Sequence, residues 1–208
     1  MAGKPGWNVE DAAVSIIEPR RTGSDHGDLT DRILDAAQRL VFGTGARKLS
    51  LSDVATLAGV SRPTVYRYFV SKEDLIDALG KREYRRFNAA MDTAMAGVRG
   101  VARLEAAVDV VATFVEDQPP GRLLDLEPRF AHQQMAQALP MITDGLAVVA
   151  QQCVREGGVA AAVAPRDLAG AIARTALSHY MFPNLDPSTA RREIRAAAGL
   201  PVRREKAR

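Results

Sequence analysis

The stretch AGVSRPTVYRYFVSKEDL, Ala58 to Leu75, predicts two short helices joined by a tight turn, followed by the start of a third helix. Gly59 can adopt the left-handed backbone conformation that ends a helix. Ser61 is a good N-cap for the second helix, and Pro63 fits its first turn because the missing N–H has no partner there.

The second short helix has one apolar face and one polar face. At about 100° per residue, Val65 and Phe69 share a face, and Arg67 points away from them. The residues flanking Arg67 are Pro63, Thr64 and Tyr68, and those at the border of the buried face are Arg62 and Tyr66. Between Val54 and Lys72 the cations are Arg62, Arg67 and Lys72, and there is no acid. Such a face favours a DNA groove over a protein core.

The residues around this turn and upstream of it match the sequence pattern of a known family. The Gly-Val-Ser turn is followed by Thr64, Val65, Tyr66, Tyr68 and Phe69, and then by Ser71, Lys72, Glu73 and Leu75. Upstream, the matching positions are Ile33 to Ala37, Phe42, Gly45 and the stretch from Ser50 to Ala55. Over roughly residues 29–80 the chain closely resembles the tetracycline-repressor (TetR) family of bacterial transcription regulators.

The resemblance implies a set of DNA contacts. It implies that Arg62, Pro63 and Thr64 reach base edges, and that phosphates are contacted by Tyr66, Tyr68 and Lys72 together with Ser50 and Ser52. Ser61, the N-cap of the second short helix, is also predicted to bind DNA. For Arg67, both base readout and phosphate contact are open. The partner is then double-stranded DNA with a pseudo-palindromic operator, bound by a homodimer.

Composition sets wider bounds. The 208 residues are enough for one domain or two small ones, and the net charge is +3. Residues 28–86 hold 11 basic and 8 acidic residues (net +3), whereas residues 87–200 hold 10 and 12 (net −2). The N-terminal part is therefore expected to meet the polyanion. The single Cys153 excludes an intrachain disulfide, and no signal peptide or run of roughly 18 apolar residues is present. We expect a cytoplasmic protein.

Periodicity predicts an all-α fold. Helices are predicted near residues 30–42, 51–58, 62–69, 71–96, 101–116, 140–156 and 165–182, with one or two short helices in 130–139 and a last short one after Asp186. Residues 1–28 are predicted to be a disordered extension, with a basic arm through Arg20 and Arg21 as the functional alternative. Residues 29–74 form the predicted DNA-binding domain, 75–200 the helical effector-binding and dimerisation domain, and 201–208 a basic tail.

The resemblance implies that the second domain encloses a small-molecule effector. Candidate lining residues are Phe114, Phe130, Met135, Met141, Tyr180, Met181 and Phe182, each of which is also compatible with plain core. Helices 140–156 and 165–182 are the candidates for a four-helix dimer interface. His132 and His179 are isolated from other ligand residues in the sequence, so no metal is expected, and no cofactor is predicted.

Three functions are compatible with these patterns. The first is a ligand-responsive repressor, in which an effector tilts the helix from Leu75 to Met95 and changes the spacing of the recognition helices. The second is a DNA-binding regulator without a small ligand, controlled by a protein partner or acting as an activator. The third is an enzyme or carrier that uses the helical module for packing. It is disfavoured because no nucleophile elbow, P-loop or dinucleotide fingerprint is present.

Overall fold

The computed structural model describes residues 24–117, 128–157, 163–182, 186 and 188–201, and every regular element in these ranges is helical. The helices are α1 (Ser24–Thr44), α2 (Leu51–Ala58), α3 (Arg62–Tyr68), α4 (Lys72–Met95), α5 (Gly100–Glu116), α6 (Pro128–Arg155), α7 (Pro165–Met181) and α8 (Ser188–Ala197). A 3₁₀ turn, Ala46–Lys48, precedes α2. The predicted all-α class is confirmed.

The described chain divides into two compact units, and the division falls within α4. One unit holds residues 24–85, and the other begins at Arg86 and includes α5 to α8. The helix α4 is continuous across the division between Arg85 and Arg86.

The first unit is built from amphipathic helices that bury the predicted apolar residues. On α1 these are Ile33, Leu34, Ala37 and Val41, and α2 adds Val54, Ala55 and Ala58. The side chains of Val65 and Phe69 complete this set, together with Leu75 at the start of α4. Burial of these faces, rather than helix propensity, stabilises helices as short as α2 and α3.

The second unit has its own apolar core. α6 packs along α7, and α5 contacts α6, α7 and α8. The core contains Leu104 and Val108 of α5, Leu146 and Val149 of α6, Ile172 of α7 and Ile194 of α8. Phe87 and Met91 of α4 belong to the same cluster, and Met95 packs against it. The apolar positions predicted for the C-terminal half of α4 are therefore core positions.

Two predicted boundaries are wrong. Helix α1 begins at Ser24 instead of Thr30, so residues 24–28 are helical and not part of a disordered extension. The segment from residue 130 to 156, predicted as separate helices divided at Pro140, is the single 28-residue helix α6 with Pro140 inside it. A proline removes one backbone hydrogen bond, and the apolar face that α6 buries against α5 and α7 holds the helix together around it.

Some predictions concern residues outside the described ranges. These are the extension at residues 1–23, with its possible basic arm, and the basic tail at 202–208.

Candidate nucleic-acid interface

The turn between α2 and α3 has the geometry that its residues predict. Gly59 has φ 66° and ψ 38°, in the left-handed region. The N–H of Val60 donates to the carbonyl of Ala55 over 3.0 Å, which closes the end of α2. Ser61 then caps α3, because its Oγ accepts a hydrogen bond of 3.2 Å from the N–H of Thr64. These two caps set where α2 ends and where α3 begins.

α3 presents different chemistry to the two sides. Val65 is completely buried and Phe69 is 5% exposed, whereas Tyr66 is 54% exposed and Arg67 is also exposed. Arg62 and Pro63 are exposed at the first turn, and Thr64 and Tyr68 are half-buried. The outward face therefore carries two guanidinium groups and a phenol that water, or a DNA groove, can reach.

Three of the predicted DNA-contacting hydroxyls already have hydrogen bonds within the protein. The Oγ of Ser50 lies 2.6 Å from the carboxylate of Asp53 and accepts the N–H of that residue, which caps α2. The Oγ of Ser61 and the Oγ1 of Thr64 lie 2.7 Å apart. A serine hydroxyl has one proton, so a phosphate contact by Ser50 requires that proton to leave Asp53. Ser52, also predicted to contact phosphate, is half-buried on α2.

The cations at the end of α3 and the start of α4 are held in place. The Arg67 guanidinium lies over the ring of Tyr68, with 5.4 Å from its carbon to the ring centroid, at cation–π distance. The Nζ of Lys72 donates to the carbonyl oxygen of Arg47 over 3.3 Å, across 25 residues of sequence. An ammonium has three donors, so Lys72 keeps two for another acceptor.

Sequence reasoning missed two arginines that hold this unit together. The Arg82 side chain is buried on α4 and donates to Asp35 over 2.8 Å and to Gln38 over 2.9 Å, both on α1. Arg32 donates to the carbonyl of Ala58 over 2.8 Å, at the end of α2. A signal for Arg82 exists in the sequence, because it lies seven residues after Leu75 and therefore on the same apolar stripe of α4.

The candidate effector-lining residues differ in how far their side chains are buried. Phe114 is half-buried and meets Phe87 edge-on, with ring centroids 5.3 Å apart. Tyr180 is half-buried on α7, and burial raises the pKa of its phenol above the usual value. Met135 and Met181 are half-buried, whereas Met141 is 41% and Phe182 66% exposed. The side chain of Phe130 lies outside the described part of the structure.

Within the described ranges, no three His, Cys, Asp or Glu side chains are grouped to hold a metal ion. No helix among those described has the length and apolar character needed to cross a bilayer.

Comparison with known proteins identifies the first unit. Residues 33–79 match the family model described as "Bacterial regulatory proteins, tetR family". An HTH-type transcriptional regulator of Mycobacterium tuberculosis is 39% identical over 90 residues, which cover 43% of this chain and 45% of that protein. The HTH-type transcriptional regulator EthR of Mycolicibacterium smegmatis is 42% identical over 79 residues, 36% of each chain. The matches thus span less than half of these relatives' length.

Solved structures with low sequence identity share the fold over most of this chain. A TetR transcription regulator from Haloarcula marismortui superposes with a TM-score of 0.67 at 19% identity, over 83% of this chain and 97% of that one. The fatty acid degradation regulator FadR from Bacillus halodurans gives 0.66 at 19% identity, over 86% and 96%. At such identities the comparison establishes the fold alone.

Proposed function

Since this chain belongs to the TetR family of bacterial transcriptional regulators and has its helix-turn-helix, we propose that it is a repressor that binds a pseudo-palindromic operator as a homodimer and is released by a small molecule. The observation that best supports DNA binding is the chemistry of the outward face of α3. Arg62, Tyr66 and Arg67 are exposed there while Val65 and Phe69 are buried beneath them. Phosphate and base edges are the acceptors that such a face suits.

The two ends of α3 have different proposed tasks. In helix-turn-helix proteins the N-terminal residues of the recognition helix contact base edges. We therefore assign base contacts to Arg62, Pro63 and Thr64. Arg67 lies at the other end, stacked on Tyr68, and we assign it to the phosphate backbone. The further phosphate contacts are Tyr66, Tyr68, Lys72, Ser50 and Ser52, and Ser61 positions α3 through its cap.

A homodimer supplies the second recognition helix. Two such helices about 34–36 Å apart enter successive major grooves, so the operator mirrors the two-fold symmetry of the protein. We place the dimer interface on α6 and α7, which would pair with their symmetry mates in a four-helix arrangement. Val148 of α6 is 37% exposed, and Ala171 is an exposed small residue on α7. These side chains supply apolar surface for a partner helix.

The effector would act through α4. This helix contains the phosphate-binding Lys72 at one end and the core residue Met91 near the other. A small molecule that binds better to one of two arrangements of α4 shifts the population toward it and changes the separation of the recognition helices. The proposed lining residues are Phe114, Phe130, Met135, Met141, Tyr180, Met181 and Phe182.

A mobility-shift assay on the DNA beside its own gene tests the DNA-binding part of the proposal. Arg67→Ala and Lys72→Ala should each weaken binding severalfold and reduce its dependence on salt, because each removes a phosphate contact. Lys81→Ala is the matched control, since Lys81 is an exposed cation on α4 that pairs with Asp77 over 2.7 Å. Equal affinities for all four proteins would exclude this interface.

A regulator without a small ligand is the second candidate. The exposure of Met141 and Phe182, two proposed lining residues, favours it, because a pocket normally buries most of its ligand's surface. Native mass spectrometry of freshly purified protein distinguishes the two. A co-purified small molecule that lowers operator affinity supports the ligand-responsive repressor, and the absence of a response to any of many candidate molecules supports control by a protein partner.

A further inference from the structure

We infer that the 3₁₀ turn before α2 is part of the DNA-binding surface, with Arg47 and Lys72 together gripping the phosphodiester backbone. This inference rests on the proposed DNA binding and extends it to a part of the chain that neither the sequence pattern nor the α3 geometry assigns. The ligand is the phosphate group of duplex DNA, whatever the base sequence.

The first argument is the rigidity of the turn. Ala46 is 4% and Leu49 5% exposed, so the turn is anchored at both ends, and Arg47 is exposed between them. The N–H of Leu49 donates to the carbonyl of Ala46 over 3.2 Å, which closes the turn. A cation on such a turn has little backbone freedom to lose on binding, and this lowers the entropic cost of a contact.

The second argument is the hydrogen bond that joins the turn to α4. Lys72 Nζ lies 3.3 Å from the carbonyl oxygen of Arg47, so a phosphate held by Lys72 lies beside the Arg47 residue. Along one DNA strand successive phosphates are separated by about 3.4 Å of helix rise. Because the Lys72 ammonium lies this close to the Arg47 backbone, the two cations can contact the same strand.

The third argument is the local charge. From Gly45 to Ser52 the chain has two cations, Arg47 and Lys48, and no acid. Lys48 borders a surface depression of about 550 Å³ that is also lined by Asp53. Arg47 is exposed on the turn, and its planar guanidinium can bind phosphate through two N–H groups.

The test compares the salt dependence of DNA binding by full-length variants. The probes are a random-sequence duplex and the promoter fragment beside the gene, each measured by fluorescence anisotropy at several salt concentrations. Arg47→Ala keeps the backbone carbonyl that Lys72 uses, so it removes only the side chain. The slope of log affinity against log salt should fall by about 0.9, which is about an eightfold loss at 0.1 M relative to a 1 M reference. The loss should be equal on both probes.

Two controls separate a contact from a change in total charge. Arg47→Lys retains a cation and should keep the wild-type slope. Lys81→Ala removes the same charge nine residues after Lys72, which is the opposite face of α4 at about 100° per residue, and should also keep it. Circular dichroism at each salt concentration verifies that the variants are folded.

The outcomes distinguish this inference from the proposed function. If the wild-type protein binds both probes and Arg47→Ala has an unchanged slope, the turn does not touch DNA, although the chain still binds it. If Lys81→Ala lowers the slope as much as Arg47→Ala does, the effect is one of net charge and the inference fails. If the wild-type protein binds neither probe even at low salt, DNA binding itself is wrong.

Discussion

At the scale of single residues, backbone conformation and caps determine where α2 and α3 begin and end. Gly59 illustrates this, because its φ of 66° is a conformation that other residues rarely adopt. A Cβ built at this position would meet only Arg32 Nη2, at an ordinary contact distance of 3.6 Å. The requirement for glycine is therefore one of backbone strain and not of space.

We predict that Gly59→Ala lowers the free energy of unfolding by about 1 kcal/mol, the cost of a left-handed non-glycine residue. Gly80→Ala is its counterpart, because Gly80 is exposed within α4 and a Cβ there meets nothing within 4 Å. That substitution should raise the free energy of unfolding by roughly 0.5–1 kcal/mol. Urea unfolding followed by circular dichroism measures both. A change of the same sign in both variants would contradict the distinction.

Asp186 provides a pH-dependent cap at the start of α8. Hydrogen bonds from Ser188 and Arg192 lower the pKa of its carboxyl from 3.8 to about 2. A carboxyl with a depressed folded-state pKa stabilises the fold above the unfolded value, and this contribution is lost as the pH falls through the folded value. Asp186→Asn should therefore melt below the wild type at pH 6, and the difference should shrink between about pH 4 and 2. A difference that is constant over this range would show that the charge is not responsible.

At the scale of elements, periodicity predicted the helices whose ends have strong local signals. α3 spans Arg62–Tyr68, within one residue of its predicted end, because Ser61 and the buried pair Val65 and Phe69 all specify the same helix. α1 begins at Ser24, six residues before the predicted start at Thr30, although Thr30 is a good cap residue in sequence. Local capping signals identify possible ends, and they do not determine which one is used.

α6 shows how packing can override a local helix breaker. Pro140 lies inside this helix and is exposed. Pro140→Ala should raise the free energy of unfolding by about 1–2 kcal/mol, because alanine restores the lost backbone hydrogen bond while the unfolded chain gains some entropy.

Pro165→Ala is the matched control for this prediction. Pro165 occupies the first turn of α7, where its missing N–H has no intrahelical partner. Pro165→Ala should leave the free energy of unfolding unchanged or lower it slightly. Thermal melts of Pro140→Ala and Pro165→Ala measure the difference between the two variants. Equal effects would mean that Pro140 does not interrupt the hydrogen bonds of α6.

At the scale of the whole molecule, the proposed dimer is the feature that single-chain sequence patterns specify least. We predict that the wild-type protein has twice the chain mass of 22.4 kDa by light scattering. Val148→Glu should give a monomer with much weaker operator binding, because a buried carboxylate at the α6 interface has no partner. Val101→Glu on α5 is the matched control, because Val101 is 40% exposed and Val148 is 37% exposed. This variant should remain dimeric. If Val101→Glu is monomeric and Val148→Glu remains dimeric, the dimer interface lies on α5 instead of α6.

Caps and apolar spacing act within a few turns of chain, and they are sufficient to predict the all-α class, the helix-turn-helix and the exposed face of α3. Contacts between distant residues account for the burial of Arg82 against α1, the hydrogen bond from Lys72 to Arg47 and the continuation of α6 through Pro140. The contacts of Arg82 with α1 join residues 44 to 51 positions apart in the sequence. The spacing of Arg82 from Leu75 indicates which face of α4 it occupies, but not its partners on α1, because folding brings these distant polar groups within hydrogen-bonding distance.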